Sequence, residues 1–378
     1  LKVEKRMPLY YDIRSNFIQK INHGQFRIFS YVADQAGCAN IRVIIPFILL
    51  NQLQQVKNFG FQGYFSNIFS KDIGFYKDTT VIQFQRSATQ RHLELFALVK
   101  SKIKVFTRSV LVYEIDDDLF NIPEWNYASE YYKPLKQYII KMMELADGIT
   151  VSTEVLKNLY SPYNKNIVVV PNRLPKFTWG NTVCNVKETN RLKIIYPCSS
   201  NHFSIVSGIT GGDIGPMLLD YIKKTTDKYE WIFIGGLPLE LNDLVVSGKI
   251  TRHGWLSVYE YPRFLRSLDG DIGIAPLSIC NFNRAKSNIK CLEYFALGMP
   301  AVFTKIDPYK DMVLQAKDEE EFISHIEYLT DVNNRFEVWN KTKKIMGDTV
   351  FWEDNNYLNL KKFVKSYLNL MKKDVDFV

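Results

Sequence analysis

Between Asp271 and Pro300 the chain reads Asp271-Ile-Gly-Ile-Ala-Pro-Leu-Ser278 and, after four intervening residues, Asn283-Arg-Ala-Lys-Ser-Asn-Ile-Lys-Cys-Leu-Glu-Tyr-Phe-Ala-Leu-Gly-Met-Pro300. A buried strand ending at Pro276, a polar loop and a helix opening near Ser287 account for this pattern, with Gly298 and Pro300 closing the helix. Lys286, Lys290 and Glu293 recur at i, i+4 and i+7, which predicts one shared helical face. A helix N-terminus offers unpaired N–H groups and partial positive charge to a diphosphate, and Ser287 and Asn288 stand at that opening. Lys286 and Lys290 add full charges. Glu293 lies roughly 9 Å along the axis from Ser287, at about 1.5 Å per residue, where a carboxylate can accept from both ribose hydroxyls. The plainer alternative is a solvated face bearing a Lys/Glu pair.

Other groups able to do chemistry follow predicted strands. Ser200 and His202 lie in Tyr196-Pro-Cys-Ser-Ser-Asn-His202, Gly235 in Ile234-Gly-Gly236, and Arg252 in Arg252-His-Gly254. His202 can bond a phosphate or sugar, or be a satisfied loop histidine. In the first half, Glu114-Ile-Asp-Asp-Asp118 places carboxylates directly after a strand. Asp117 and Asp118 can orient an acceptor hydroxyl or serve as a base, or form an Asx-type turn. Asp34, Gly37 and Arg42 follow the first strand, and Arg86 ends another. Gly37 lets a backbone approach a ligand closely. Arg42 can clamp a phosphate or pair locally, and Arg86 is open to the same two readings.

The 271–300 segment resembles the donor-binding segment of GT-B glycosyltransferases, particularly glycosyltransferase family four. There a Glu-x7-Glu pattern precedes a small-Gly-x-Pro turn. The second glutamate, a ribose ligand in that family, maps onto Glu293, and the turn onto Leu297-Gly298-Met299-Pro300; the first falls on Ala285, so the pattern is broken beside the donor sugar. The resemblance implies donor contacts from Ser200, His202, Gly235, Arg252, Lys286, Ser287, Asn288, Lys290 and Glu293. It also implies a nucleoside diphosphate sugar as co-substrate, with uridine expected over guanosine, no tightly bound cofactor and no metal. The Asp34–Pro46 stretch resembles glycosyltransferases encoded by bacteriophages and some surface-polysaccharide clusters. This implies acceptor contacts from Gly37 and Arg42. Arg86 and Asp118, at the ends of other strands, are expected beside them, Lys286 of the donor segment is expected to stabilise the leaving charge, and, for an inverting reaction, Asp34 or Asp117 is the expected base.

Charge bears on the acceptor. Of the net +8, residues 1–188 hold 24 Lys and Arg against 16 Asp and Glu, whereas residues 189–378 hold 24 of each. A basic half attracts polyanions or anionic membranes, or merely keeps the surface soluble. With the phage resemblance, duplex DNA carrying a hydroxymethylated pyrimidine becomes the expected acceptor; its base must be flipped for such chemistry. The rivals are a surface-polysaccharide or lipid-linked glycan enzyme docking on anionic membrane, and a non-catalytic nucleic-acid-binding protein on the same scaffold.

These residues require parallel α/β scaffolding. The length of 378 residues suits two domains. Apolar runs predict strands at 26–32, 81–85, 103–106, 111–115, 148–152 and 167–170, then at 192–196, 231–234, 249–252, 271–275 and 301–304. Leu135, Tyr138, Ile139, Met142 and Leu145 predict a helix with one buried face; others are expected near 214–225, 258–268, 287–297, 319–329 and 355–371. An irregular stretch from 173 to 190 divides the chain. The expected fold is α/β of GT-B architecture: 1–188 an acceptor domain, 189–350 a donor domain, and 351–378 a helix crossing back. Five scattered cysteines without a CxxC pair suit a reduced, cytoplasmic setting. The longest apolar run, Val43–Leu50, is too short to span a membrane and contains Pro46. Leu1–Arg6 shows no signal-peptide hydrophobic stretch and no initiator Met, which leaves room for a start upstream.

Overall fold

The computed structural model describes residues 26–371 apart from 35, 58–59, 71, 77, 107–108 and 205–210; the sequence reading at Leu1–Arg6, and Gln35 within the Asp34–Pro46 stretch, lie outside the described residues. Two six-stranded sheets, parallel throughout, follow one another along the chain. The first contains β1 (Phe26–Tyr31), β2 (Phe61–Ser66), β3 (Val81–Gln85), β4 (Val110–Ile115), β5 (Gly148–Val151) and β6 (Ile167–Val169), in the order β2-β1-β3-β4-β5-β6. The second contains β7 (Lys193–Cys198), β8 (Glu230–Gly235), β9 (Ile250–His253), β10 (Ile272–Ala275), β11 (Ala301–Thr304) and β12 (Gln315–Ala316), in the order β12-β11-β10-β7-β8-β9.

Helices cover both faces of a parallel sheet, so its strands are buried on both sides and read as continuous apolar runs. β3 is buried at every position, yet includes Gln83. That amide donates to Ser30 Oγ at 3.1 Å and accepts from Tyr367 Oη at 2.6 Å, so a polar side chain in the core is satisfied. Tyr367 belongs to the last helix, Asp354–Leu370, whose Leu360, Phe363 and Val364 pack with Ile28 and Val81 of the first sheet. The chain thus leaves the second sheet and returns to the first.

Several elements differ from expectation. Residues 103–106 close the helix Gln90–Phe106 instead of forming a strand; four apolar-rich residues cannot by themselves distinguish a buried strand from the end of a helix. β2, β12, and the helices Ile45–Lys57 and Val332–Met346 were not anticipated. The run containing Pro46 enters Ile45–Lys57 through a π-helical turn, Asn40–Ile44; proline is tolerated in a first helical turn. Of the face predicted around 135–145, Ile139 and Met142 are buried, whereas Leu145 is exposed.

Each sheet reverses its strand order once, between β1 and β3 and between β7 and β10. Loops leaving the carboxyl ends on either side of such a point diverge and open a crevice for ligands. The candidate residues lie at these two crevices.

Candidate active site

At the first crevice, Arg86 directly follows β3 and adopts a left-handed backbone (φ +44°), uncommon for a side chain of its size and frequent at functional positions. Its guanidinium reaches Asp116 and Asp117, each at 3.5 Å. Asp116 also accepts from Cys38 Sγ at 3.0 Å. Burial raises the Asp117 carboxyl above its ordinary range, with Arg86 and Lys286 holding it back. Asp117 is therefore a carboxylate with raised proton affinity and partial access to solvent, as a general base requires.

The neighbouring candidates have structural duties. Asp118 is buried and closes an Asx-type turn, accepting from Phe120 N at 3.1 Å and Asn121 Nδ2 at 2.7 Å. Asp34 caps the turn after β1, accepting from Ala36 N at 2.9 Å and Ala39 N at 3.2 Å. Arg42 lies in the core, where its Nε donates to Glu114 at 2.7 Å. A phosphate clamp at Arg42 would have to break that buried pair. Gly37 faces open space, with no atom within 4 Å of where a Cβ would stand.

At the second crevice, the turn Ser200–His202 after β7 sets His202 against Asp213, Nδ1 to Oδ2 at 2.6 Å. Asp213 Oδ1 accepts from Ser278 N, Ser278 Oγ and Asn283 Nδ2 at 2.8, 2.9 and 2.7 Å. Burial alone would raise the Asp213 carboxyl; the bond from His202 and the nearby Lys286 charge bring it below its usual value. Burial depresses the His202 imidazole, Asp213 opposes this, and Lys286 and Lys290 reinforce it. Neutral His202 with its proton on Nδ1 presents a lone pair at Nε2.

The helix bearing Glu293 starts at Ile289, two residues later than expected, after the short helix Asn281–Ala285. Lys286 has extended ψ (154°) and stands outside both helices, so it does not share a helical face with Lys290 and Glu293. Tertiary placement, not helical periodicity, brings it to the site. Its ammonium lies 4.6 Å from the Phe282 ring. Asn288 precedes Ile289 without a side-chain cap, which leaves the first amides of an eight-residue helix open to an anion. Glu293 is buried; its Oε2 accepts from Lys290 Nζ at 2.6 Å and from Tyr261 Oη at 3.2 Å.

Gly235 ends β8 with φ +89°, and a Cβ there would lie 2.4 Å from the Cys198 carbonyl. Its own carbonyl accepts from Arg252 at 3.2 Å. Beside it stands Trp255, 74% exposed. Sequence reasoning missed Trp255, Tyr261, Asp213 and Asp116. Asp116 and Trp255 had local signals, an acidic run and a tryptophan just after a strand; Tyr261 and Asp213 had none.

Lys286 draws the two crevices together, since its charge acts on Asp117 of the first domain and on His202 and Asp213 of the second. Direct bonds cross as well: Thr153 Oγ1 to the Ala285 carbonyl at 3.0 Å and Asn172 Nδ2 to Ser287 Oγ at 2.8 Å. A separate cavity of about 210 Å³, lined by Val183, Ile195, Leu265, Leu297 and Met299 among others, shares no residue with this site.

No protein-family model matches the sequence, and no curated protein matches it. Solved structures do. One described as the OtsA apo structure superposes with a TM-score of 0.53 at 11% identity, covering 93% of this chain and 100% of its own. Another, trehalose-6-phosphate from E. coli bound with UDP-2-fluoro glucose, gives 0.53 at 10% identity, covering 92% and 99%. The fold is GT-B. At such identities the likeness concerns the architecture alone: two parallel six-stranded sheets with helices, superposed over nearly the whole chain. Within the GT-B frame, the carboxyl ends of β1, β3 and β4 supply the Asp117 side and those of β7, β8 and β10 the Lys286 side.

Proposed function

We propose that this protein transfers a sugar from a nucleoside diphosphate sugar to an acceptor hydroxyl. The observation that carries this is the 286–288 break before an uncapped helix start, a segment to which the opposite domain bonds through Thr153 and Asn172. The amides opening Ile289–Ala296, with Lys286 and Lys290, receive the diphosphate and stabilise the charge that grows as its bond to the anomeric carbon breaks. Tyr261 keeps Glu293 in place to accept from the ribose hydroxyls while Lys290 turns towards phosphate. Trp255 offers a face to the base, which we take to be uracil. His202, held by Asp213, faces the sugar or its phosphate. The acceptor oxygen bonds to the anomeric carbon and its proton passes to Asp117; Asp34 is the less suitable base because it caps a turn.

We take the acceptor to be duplex DNA bearing a hydroxymethylated pyrimidine, supported by the surplus positive charge of residues 1–188. One observation favours a saccharide acceptor instead. Residues 114–132 hold six carboxylates and no Lys or Arg; Glu114 and Asp118 are buried and already bonded, but Asp117, Glu124 and Glu130 reach solvent in the same segment as Trp125 and the exposed Tyr127 and Tyr131. Carboxylates accept from sugar hydroxyls and repel phosphate, while aromatic faces stack on either ligand. The test is incubation with a nucleotide-sugar panel and either hydroxymethylated DNA or oligosaccharides, followed by mass measurement of the products. Modified nucleosides support DNA, and extended glycans support the saccharide reading. If no donor is consumed with either acceptor, the transferase reading fails.

A further inference from the structure

The 285–288 segment belongs to the second domain but is tied down by the first. Thr153 holds its first carbonyl and Asn172 holds the Ser287 hydroxyl. The Asn172 amide is itself oriented, because Oδ1 accepts from Arg42 at 2.8 Å and Nδ2 must then point to Ser287. Arg42 is fixed in turn by Glu114 through Nε and by the Val170 carbonyl through its terminal nitrogen. The side chains of this ion pair are 2% and 1% exposed. Burying two charges costs several kcal/mol in desolvation, and apolar residues of similar volume often serve stability as well or better. What such a pair does supply is direction. It fixes one amide, and that amide reaches across the domain boundary.

We propose that Asn172 is a positioning residue for the donor loop: oriented by Arg42 and Glu114, it sets the path of residues 285–288 and so the placement of Lys286 at the diphosphate. The proposal rests on the reading of residues 286–293 as a nucleotide site. It makes nucleotide affinity depend on a side chain of the opposite domain that touches no part of the nucleotide.

The experiment compares the full chain with Asn172→Ala, Ser287→Ala, the double variant and Asn172→Asp. Aspartate can accept from both Arg42 and the Ser287 hydroxyl, so it should restore the link. Amide hydrogen exchange over residues 285–291 without ligand, UDP affinity by calorimetry and thermal unfolding are measured for each. Both alanine variants should speed exchange in that segment and weaken UDP about tenfold. The double variant should be no worse than the worse single, because both remove one interaction. Asn172→Asp should stay within about twofold of the parent. Unchanged exchange in the alanine variants, additive losses in the double, or a lowered melting temperature with unaltered loop exchange would each overturn the proposal. If the parent binds neither UDP nor any other nucleoside diphosphate, the nucleotide reading fails, while exchange still decides whether Asn172 orders the loop.

Discussion

Glu293 and Asp117 make opposite demands on the protein, and their replacements should separate accordingly. Glu293→Ala removes a buried acceptor and leaves Lys290 and Tyr261 without their partner. Losing two hydrogen bonds to a ribose at about 1–2 kcal/mol each predicts nucleotide binding weakened by roughly 100-fold in calorimetry; unaltered affinity would remove Glu293 from the site. Asp117→Asn should cut transfer by about 10²- to 10⁴-fold without lowering the melting temperature, since burial already works against its charged form. A variant that melts lower but transfers normally would make Asp117 structural. His202 gives a pH signature. Its folded pKa lies below the ordinary 6.5, so the unfolded chain protonates first and stability declines as pH falls through 6.5, down to the folded value. A His202→Gln variant should lose that part of the acid-side decline in urea titrations at stepped pH. An identical profile would mean that burial does not depress this imidazole.

At the scale of elements, the turn that ends the helix Ile289–Ala296 is tightly constrained. Gly298 has φ +73°, and a Cβ there would lie 1.7 Å from the Val183 carbonyl in the linker. Gly298→Ala combines left-handed strain with a backbone clash and should cost about 2–5 kcal/mol in urea unfolding; a loss below about 0.5 kcal/mol would show that the linker gives way freely. Legibility followed the locality of each element's cause. The strand before Pro276 and the helix closed by Gly298 were readable because flanking loop and cap residues mark them. The tail of Gln90–Phe106 was misread because an apolar stretch in its last turn resembles a short strand. Lys286 was expected on the helix but lies outside it, since the break at 286–288 accompanies tethering to Thr153 and Asn172 rather than following from local propensity.

For the whole molecule, the returning helix decides whether the first domain has a complete core. Tyr367, Phe363 and Leu360 are buried against the first sheet, so a chain ending at residue 353 should expose that face, lose cooperative unfolding and aggregate. A truncated chain with an unchanged calorimetric transition would show that the helix is dispensable. Among the described residues no helix is long and apolar enough to cross a membrane. The sequence by itself determined two successive α/β units and a strand–loop–helix segment bearing Lys286, Lys290 and Glu293, because periodicity, caps and turn residues act over a few positions. Only the tertiary structure decided which polar residues are committed to buried partners and which remain open at the two crevices. Asp34, Arg42 and Asp118 resemble Asp117 and Arg86 as residue types. Their partners lie in separate loops and strands, and burial beside those partners leaves Asp117 partly open to solvent beside Arg86 while Arg42 is committed to Glu114.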